Sequence, residues 1–173
     1  GSSTPSLLES PADATLHPAA LDQRLMQTTV IDLGLSRDYD RAHISGAIWC
    51  TRLRMIDALA SLQKEAALKS QVALTSGDGM LARVALAEAR AWGGEQGLTL
   101  DVQALIGGTD AWIAAELPTT NGLEHIFGPT DDVWFKPYDH RGRQEQFMRE
   151  YLTWEVALVE QIERDGTTRF REF

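Results

Sequence analysis

After residue 27 the chain alternates short β-branched runs with segments of helical composition, and this alternation confines it to the α/β class. Residues 28–33 (TTVIDL), 47–50, 71–75 (QVALT) and 98–105 (LTLDVQAL) read as buried strands. Helices are expected at 18–27, where Leu21, Leu25 and Met26 fall at helical spacing, and at 54–63, 80–92 and 109–116. The polar stretch 34–43 suits one short helix, and Gly93-Gly94 is the expected stop of the alanine-rich helix 80–92. Strands separated by helices pair through crossovers, so a mainly parallel sheet is predicted.

Composition narrows the function classes. Hydrophobic residues make up 43% of the 173, enough for a real core. Against 16 Lys and Arg stand 25 Asp and Glu, a net charge of −9, which argues against nucleic acid as a partner. No apolar run approaches the ~20 residues of a membrane helix. The one cysteine, Cys50, cannot form an intramolecular disulfide, which fits a cytoplasmic protein. His17, His43, His125 and His140 are far apart and lack metal-ligand spacing, so neither metal nor cofactor is expected.

The richest stretch is residues 72–83 (VALTSGDGMLAR), a strand, a Gly-containing turn and a helix. In a parallel sheet that turn lies at the strand's carboxyl end, where ligands usually bind. Amides at the helix start can cradle an anion. Gly77, Gly79 and Ala82 also satisfy a dinucleotide-type G-x-G-x-x-A, with Asp101 as a loose match to the ribose acid. Against it, two strand candidates precede the turn, and Asp78 places a carboxylate where pyrophosphate would lie. The plainest reading is a tight turn in which Ser76 or Asp78 caps the helix.

The flanking segments add specificity. Val30-Ile31-Asp32, Tyr39 and His43-Ile44-Ser45-Gly46-Ala47 follow the form "VID…Y…HIxGA". Gly107-Gly108, Trp112 and Leu117-Pro118 follow "GG…W…xP". In this order and separation they resemble the signature regions of the rhodanese (thiosulfate sulfurtransferase) family over about residues 28–122. The resemblance implies a three-layer sandwich around a mainly parallel five-stranded sheet. It also implies an active-site loop at the 72–83 turn, whose cysteine carries a persulfide within a cradle of amides and passes its sulfur to an acceptor.

Laid on that loop, the cysteine position is Ser76, followed by Gly77, Asp78, Gly79, Met80 and Leu81. Leu81 stands where active members often carry Arg, and Gly34 where an Arg commonly follows the first strand's Asp. A hydroxyl cannot form a persulfide, and Asp78 adds negative charge to an anion cradle. Family members without the cysteine are inactive modules of tandem proteins, or regulatory domains. Catalytic residues are therefore expected to be none. Asp32, His43, Gly46, Gly107, Gly108 and Trp112 are expected to serve as structural signature positions. A Ser76–His43–Asp32 triad is arithmetically available but lacks the G-x-S-x-G elbow. Cys50, inside an apolar strand pattern, is expected to be buried and inert. Arg83 matches the loop-ending Arg of the family's phosphatase relatives, whose chemistry also needs the cysteine.

Three parts are expected: a flexible leader at 1–15, a rhodanese-like domain at 16–122, and a connector with a long C-terminal amphipathic helix at 123–173. Within that helix, over 144–164, Phe147, Tyr151, Trp154 and Leu158 form a narrow apolar stripe. The stripe suits packing on the domain itself, on a neighbouring rhodanese module, or on a second copy of the chain. The segment 131–138 with this helix resembles the end of bacterial proteins carrying several rhodanese modules in series. The opening Gly1-Ser2-Ser3, without Met, fits a final module taken from a longer sulfurtransferase.

Overall fold

Five parallel strands form the central sheet of the computed structural model, which describes residues 15–132. They are β1 (Thr15–Leu16), β2 (Thr28–Asp32), β4 (Ile48–Trp49), β5 (Gln71–Thr75) and β6 (Asp101–Leu105), ordered β1-β6-β5-β2-β4. The pairing of β2 with β5 runs from Thr28 opposite Gln71 to Asp32 opposite Thr75, so both strands end at one level. A second, antiparallel pair joins β3 (His43–Ile44) to β7 (Thr119–Thr120). The α/β class and the mainly parallel sheet are as the alternation predicts, and the five strands are as the resemblance implies.

Helices cover both faces. On one, α3 (Met55–Lys64) and α4 (Met80–Glu95) pack over Ile31, Val72, Leu74 and Val102. On the other, α1 (Pro18–Gln23), α2 (Ser36–Arg41) and α5 (Gly108–Ala114) supply Leu21, Tyr39 and Trp112 to a cluster around Val30, Trp49 and Leu105. Alternation along β2 divides Val30 and Ile31 between the two cores, the period-two signature of a sheet buried on both sides. Both indoles are fully buried and donate from Nε1, Trp49 to the Gly34 carbonyl at 2.8 Å and Trp112 to that of Pro118 at 3.0 Å.

Several boundaries differ from the sequence expectation, each for a local reason. Thr15 is already in β1, opposite Ala104, while residues 1–14 of the expected leader lie outside the described residues. The first helix ends at Gln23, and Leu25–Gln27 form a separate 3-10 turn. Residues 98–100 precede β6 rather than belonging to it. Helix α4 does not stop at Gly93-Gly94. Gly93 is inside it because a Cβ there would come within 3.0 Å of Leu100, and the left-handed exit is made by Gly97 at φ +68°. The 144–164 helix and its stripe lie outside the described residues.

One contact fixes the upper surface of the sheet. A Cβ on Gly108 would lie 1.9 Å from the Ser76 carbonyl oxygen and 2.4 Å from the Gly79 amide. Gly108 also holds φ at +62°. Gly108→Ala is therefore expected to destabilise the protein by about 3 kcal/mol or more, through combined strain and collision. Urea unfolding of the two proteins measures it, and a loss below about 1 kcal/mol would contradict this packing.

Candidate functional site

The loop between β5 and α4 stands at the carboxyl end of the central strand, beside the end of β2. Ser76 is 3% exposed, and its Oγ accepts from the Ala82 amide at 3.4 Å. Asp78 Oδ1 accepts from the Met80 amide at 2.9 Å. Both oxygens thus accept from first-turn amides of α4, whose N-cap residue is Gly79. Gly79 turns the chain at φ +81°, and its amide closes back on the Ser76 carbonyl at 3.1 Å. The amides of Gly77, Asp78 and Leu81 donate to no protein group among the described residues. Met80 and Leu81 point outward, 69% and 37% exposed.

From below, the start of α5 staples the loop. The Thr109 amide donates to the Ser76 carbonyl at 3.0 Å, and the Asp110 amide to that of Gly77 at 2.9 Å. The glycines of the second signature thus let two backbone segments touch. Gly46 has a separate duty: at φ +79° it makes the turn between β3 and β4, with space around it.

Asp32 is the buried polar hub. Its Oδ1 accepts from the Gly34 amide at 2.8 Å and its Oδ2 from the Thr109 hydroxyl at 3.2 Å, while the Thr109 and Thr75 hydroxyls are 3.0 Å apart. This chain ties the ends of β2 and β5 to the start of α5. Sequence reading had no role for Thr75 or Thr109; their signals are only a strand-terminal Thr and a Thr after Gly-Gly. Gly34 is constrained too, since a Cβ there would lie 2.9 Å from Asp32 Oδ1. A cavity of about 250 Å³ opens beside it, walled by Leu35, Asp38, Tyr39, Gly77, Asp110 and Ile113 among others.

His43 is committed elsewhere. Its Nδ1–H donates to the Tyr39 carbonyl at 2.7 Å, and its Nε2 lies 2.9 Å from the Thr120 hydroxyl. The ring also stacks on Tyr39 with centroids 3.6 Å apart. With both nitrogens engaged, and Asp32 bonded to Gly34 and Thr109, Ser76, His43 and Asp32 form no triad. The dinucleotide reading fails on the same geometry: Asp101 begins β6, at the opposite end of the sheet from the loop. Among the described residues no group of acidic, His or Cys side chains suits a metal.

Cys50 follows β4 and is fully buried. Burial, with the Asp32 carboxylate nearby, pushes its thiol up to about 12, and Arg54 opposes this only partly. Such a thiol is almost wholly protonated at neutral pH and is a poor nucleophile.

The profile of the "Rhodanese-like domain" family matches residues 17–115. The chain belongs to the rhodanese family. Among solved structures it is similar to a thiosulfate sulfurtransferase from Pseudomonas aeruginosa, at 35% identity and a TM-score of 0.66. That match covers 99% of this chain and 31% of the other, so the chain spans about a third of that relative's length. It shares the rhodanese fold with a rhodanese-like domain of an Anabaena protein (21% identity, TM-score 0.51, 71% of this chain and 90% of that one). The same holds for an As-Sb reductase from Leishmania major (21%, 0.50, 58% and 77%). No curated protein matches. Among the described residues no helix is long and apolar enough to cross a membrane.

The rhodanese signature aspartate carries a pH signature. Burial raises Asp32 above its ordinary 3.8, and the bonds from Gly34 and Thr109 offset this only in part. A carboxyl with a raised folded pKa contributes stability that is complete below the unfolded pKa and is lost as pH rises through the folded one. Wild type is therefore expected to lose stability relative to Asp32→Asn as pH climbs above about 3.8, with other carboxylates cancelling in the difference. Urea unfolding of both proteins from about pH 3 to 7 checks this; a pH-independent difference refutes it.

Proposed function

We propose that this chain is a non-transferring rhodanese module, one that supports or docks a transferring module of a larger bacterial sulfurtransferase. The observation that carries the reading is the state of its two candidate nucleophiles. The loop position holds an oxygen, buried and spent on a first-turn amide of α4. The lone thiol is sealed in the core and held protonated. A persulfide needs a thiolate facing its donor, and neither group meets that need.

The charges around the loop agree. Asp78 sits on the turn, and an Asp110 carboxylate oxygen lies 3.7 Å from where a side chain on Gly77 would begin. An anionic sulfur donor would face both. The match over 31% of a thiosulfate sulfurtransferase supports a larger parent, and the absence of a disulfide partner for Cys50 supports a cytoplasmic setting. As partners we infer neighbouring rhodanese modules, or a second copy of the chain, through the apolar stripe that the sequence sets out over 144–164.

Incubation with thiosulfate and cyanide, reading thiocyanate, tests this. Wild type and Cys50→Ser are expected to stay at the no-protein background. Ser76→Cys is expected to gain slow turnover, rising roughly tenfold when Asp78→Asn is added, as a neighbouring charge of this kind is worth about a kcal/mol. Wild-type turnover abolished by Cys50→Ser would overturn the proposal.

A second reading, a regulatory domain that binds a small anion, rests on the uncommitted amides of Gly77, Asp78 and Leu81. It requires sulfate or phosphate to raise Tm above chloride at matched ionic strength, and the lack of any such rise removes it.

A further inference from the structure

The outer edge of the sheet is closed by a segment that no role above has used. Strand β4 is the edge strand, and only two residues long. Residues 125–127 run parallel beside it: the Trp49 amide donates to the His125 carbonyl at 2.9 Å, and the Phe127 amide to that of Trp49 at 2.7 Å. Trp49 pairs with Ile126, which puts Phe127 next to Cys50. Ile126 packs with the Trp49 core and Phe127 with the core that contains Cys50. A parallel register continued by one residue thus sets Phe127 opposite Cys50, in the same core.

Beyond this pair the segment is held by polar anchors. The Asp131 carboxylate grips the Arg54 guanidinium with two bonds of 2.8 Å. Asp132 Oδ2 accepts from the Ser36 amide at 2.8 Å. Gly128 lies so close over Arg54 that a Cβ would come within 2.7 Å of its Cδ. These anchors are partly solvent-exposed, with side chains of Arg54 and Asp131 at 31% and 54%, so water and salt compete for them. Among the described residues, Ser36 Oγ and Asp132 Oδ1 are buried there without hydrogen-bond partners.

We propose that residues 125–132 form a releasable strap, latched by Asp131 on Arg54 and by Asp132 on α2, whose lifting uncovers Cys50 while the central sheet stays folded. Release does two things at once. It removes Phe127 from the edge side of the thiol. It also frees the Arg54 guanidinium, already an electrostatic neighbour of Cys50, from its carboxylate. A nearby unpaired cation favours the thiolate. The latched domain holds its one thiol inert, and the unlatched one presents it.

The test follows alkylation of Cys50 by iodoacetamide in the whole 173-residue chain, read by intact mass, beside urea unfolding of the same samples. The variants are Asp131→Asn, Asp132→Ala and Arg54→Gln. Wild type should label slowly. Asp131→Asn/Asp132→Ala should label about tenfold faster or more, with a global unfolding constant changed by only a few-fold, because local opening then outruns global unfolding. Salt at about 0.5 M should accelerate wild type but not Asp131→Asn. Arg54→Gln should unlatch the strap yet label more slowly than Asp131→Asn, since the cation is gone. Hydrogen exchange gives a second readout: the Trp49 and Phe127 amides should exchange together, ahead of those of β2 and β5. Labelling that tracks the global unfolding constant in every variant, wild-type labelling at the rate of a free thiol, or exchange of Trp49 and Phe127 in step with the central strands would each overturn the proposal.

Discussion

The contact on which the upper surface depends is the seating of the Ser76–Gly79 turn on the bare backbone of Gly108. Two amides from the start of α5 bond to two carbonyls of the turn, and no side chain intervenes because none fits. The arrangement leaves the turn nearly no freedom of its own. Its shape is decided by α5, which is in turn tied through Thr109 to the Asp32 carboxylate. Whatever this surface does, it does as a rigid platform.

That rigidity shows how much of the family signature serves the scaffold itself. The signature aspartate, histidine, glycines and tryptophan all have structural employment: hydrogen-bond hub, ring stack and loop tie, tight turns, core filling. None of it requires a nucleophile. The Ser76 hydroxyl likewise has a structural use, as an acceptor at the start of α4. Selection for folding alone would hold most of the signature in place.

The same logic sets how much of the fold the sequence displays by itself. Strand β5 and the helix after it were legible to the residue at their shared turn, since a buried β-branched run, a Gly-rich break and an alanine-rich helix each enforce the same boundary. Legibility failed where geometry is long-range. The two-residue strands β1, β3 and β7 are too short to show a period, and exist only because distant partners such as Ala104 and Thr120 lie opposite. Gly93 and Gly94 looked like a helix end because local propensity says so; the closeness of Leu100 is invisible in a local window. Within the site, Ser76 and Asp32 stand in segments that a motif singles out. No motif marks Thr75 or Thr109 themselves, because a threonine's worth depends on what faces it across 34 residues of chain.

The pairing of Ile126 with Trp49 has one more consequence. A parallel sheet that ends in a two-residue strand offers unpaired peptide groups to any other chain that meets it in solution. By laying its own downstream backbone there, the molecule pairs the Trp49 amide and carbonyl internally and withholds them from a second chain. A share of the protection against clumping is thereby written into the covalent order of the chain.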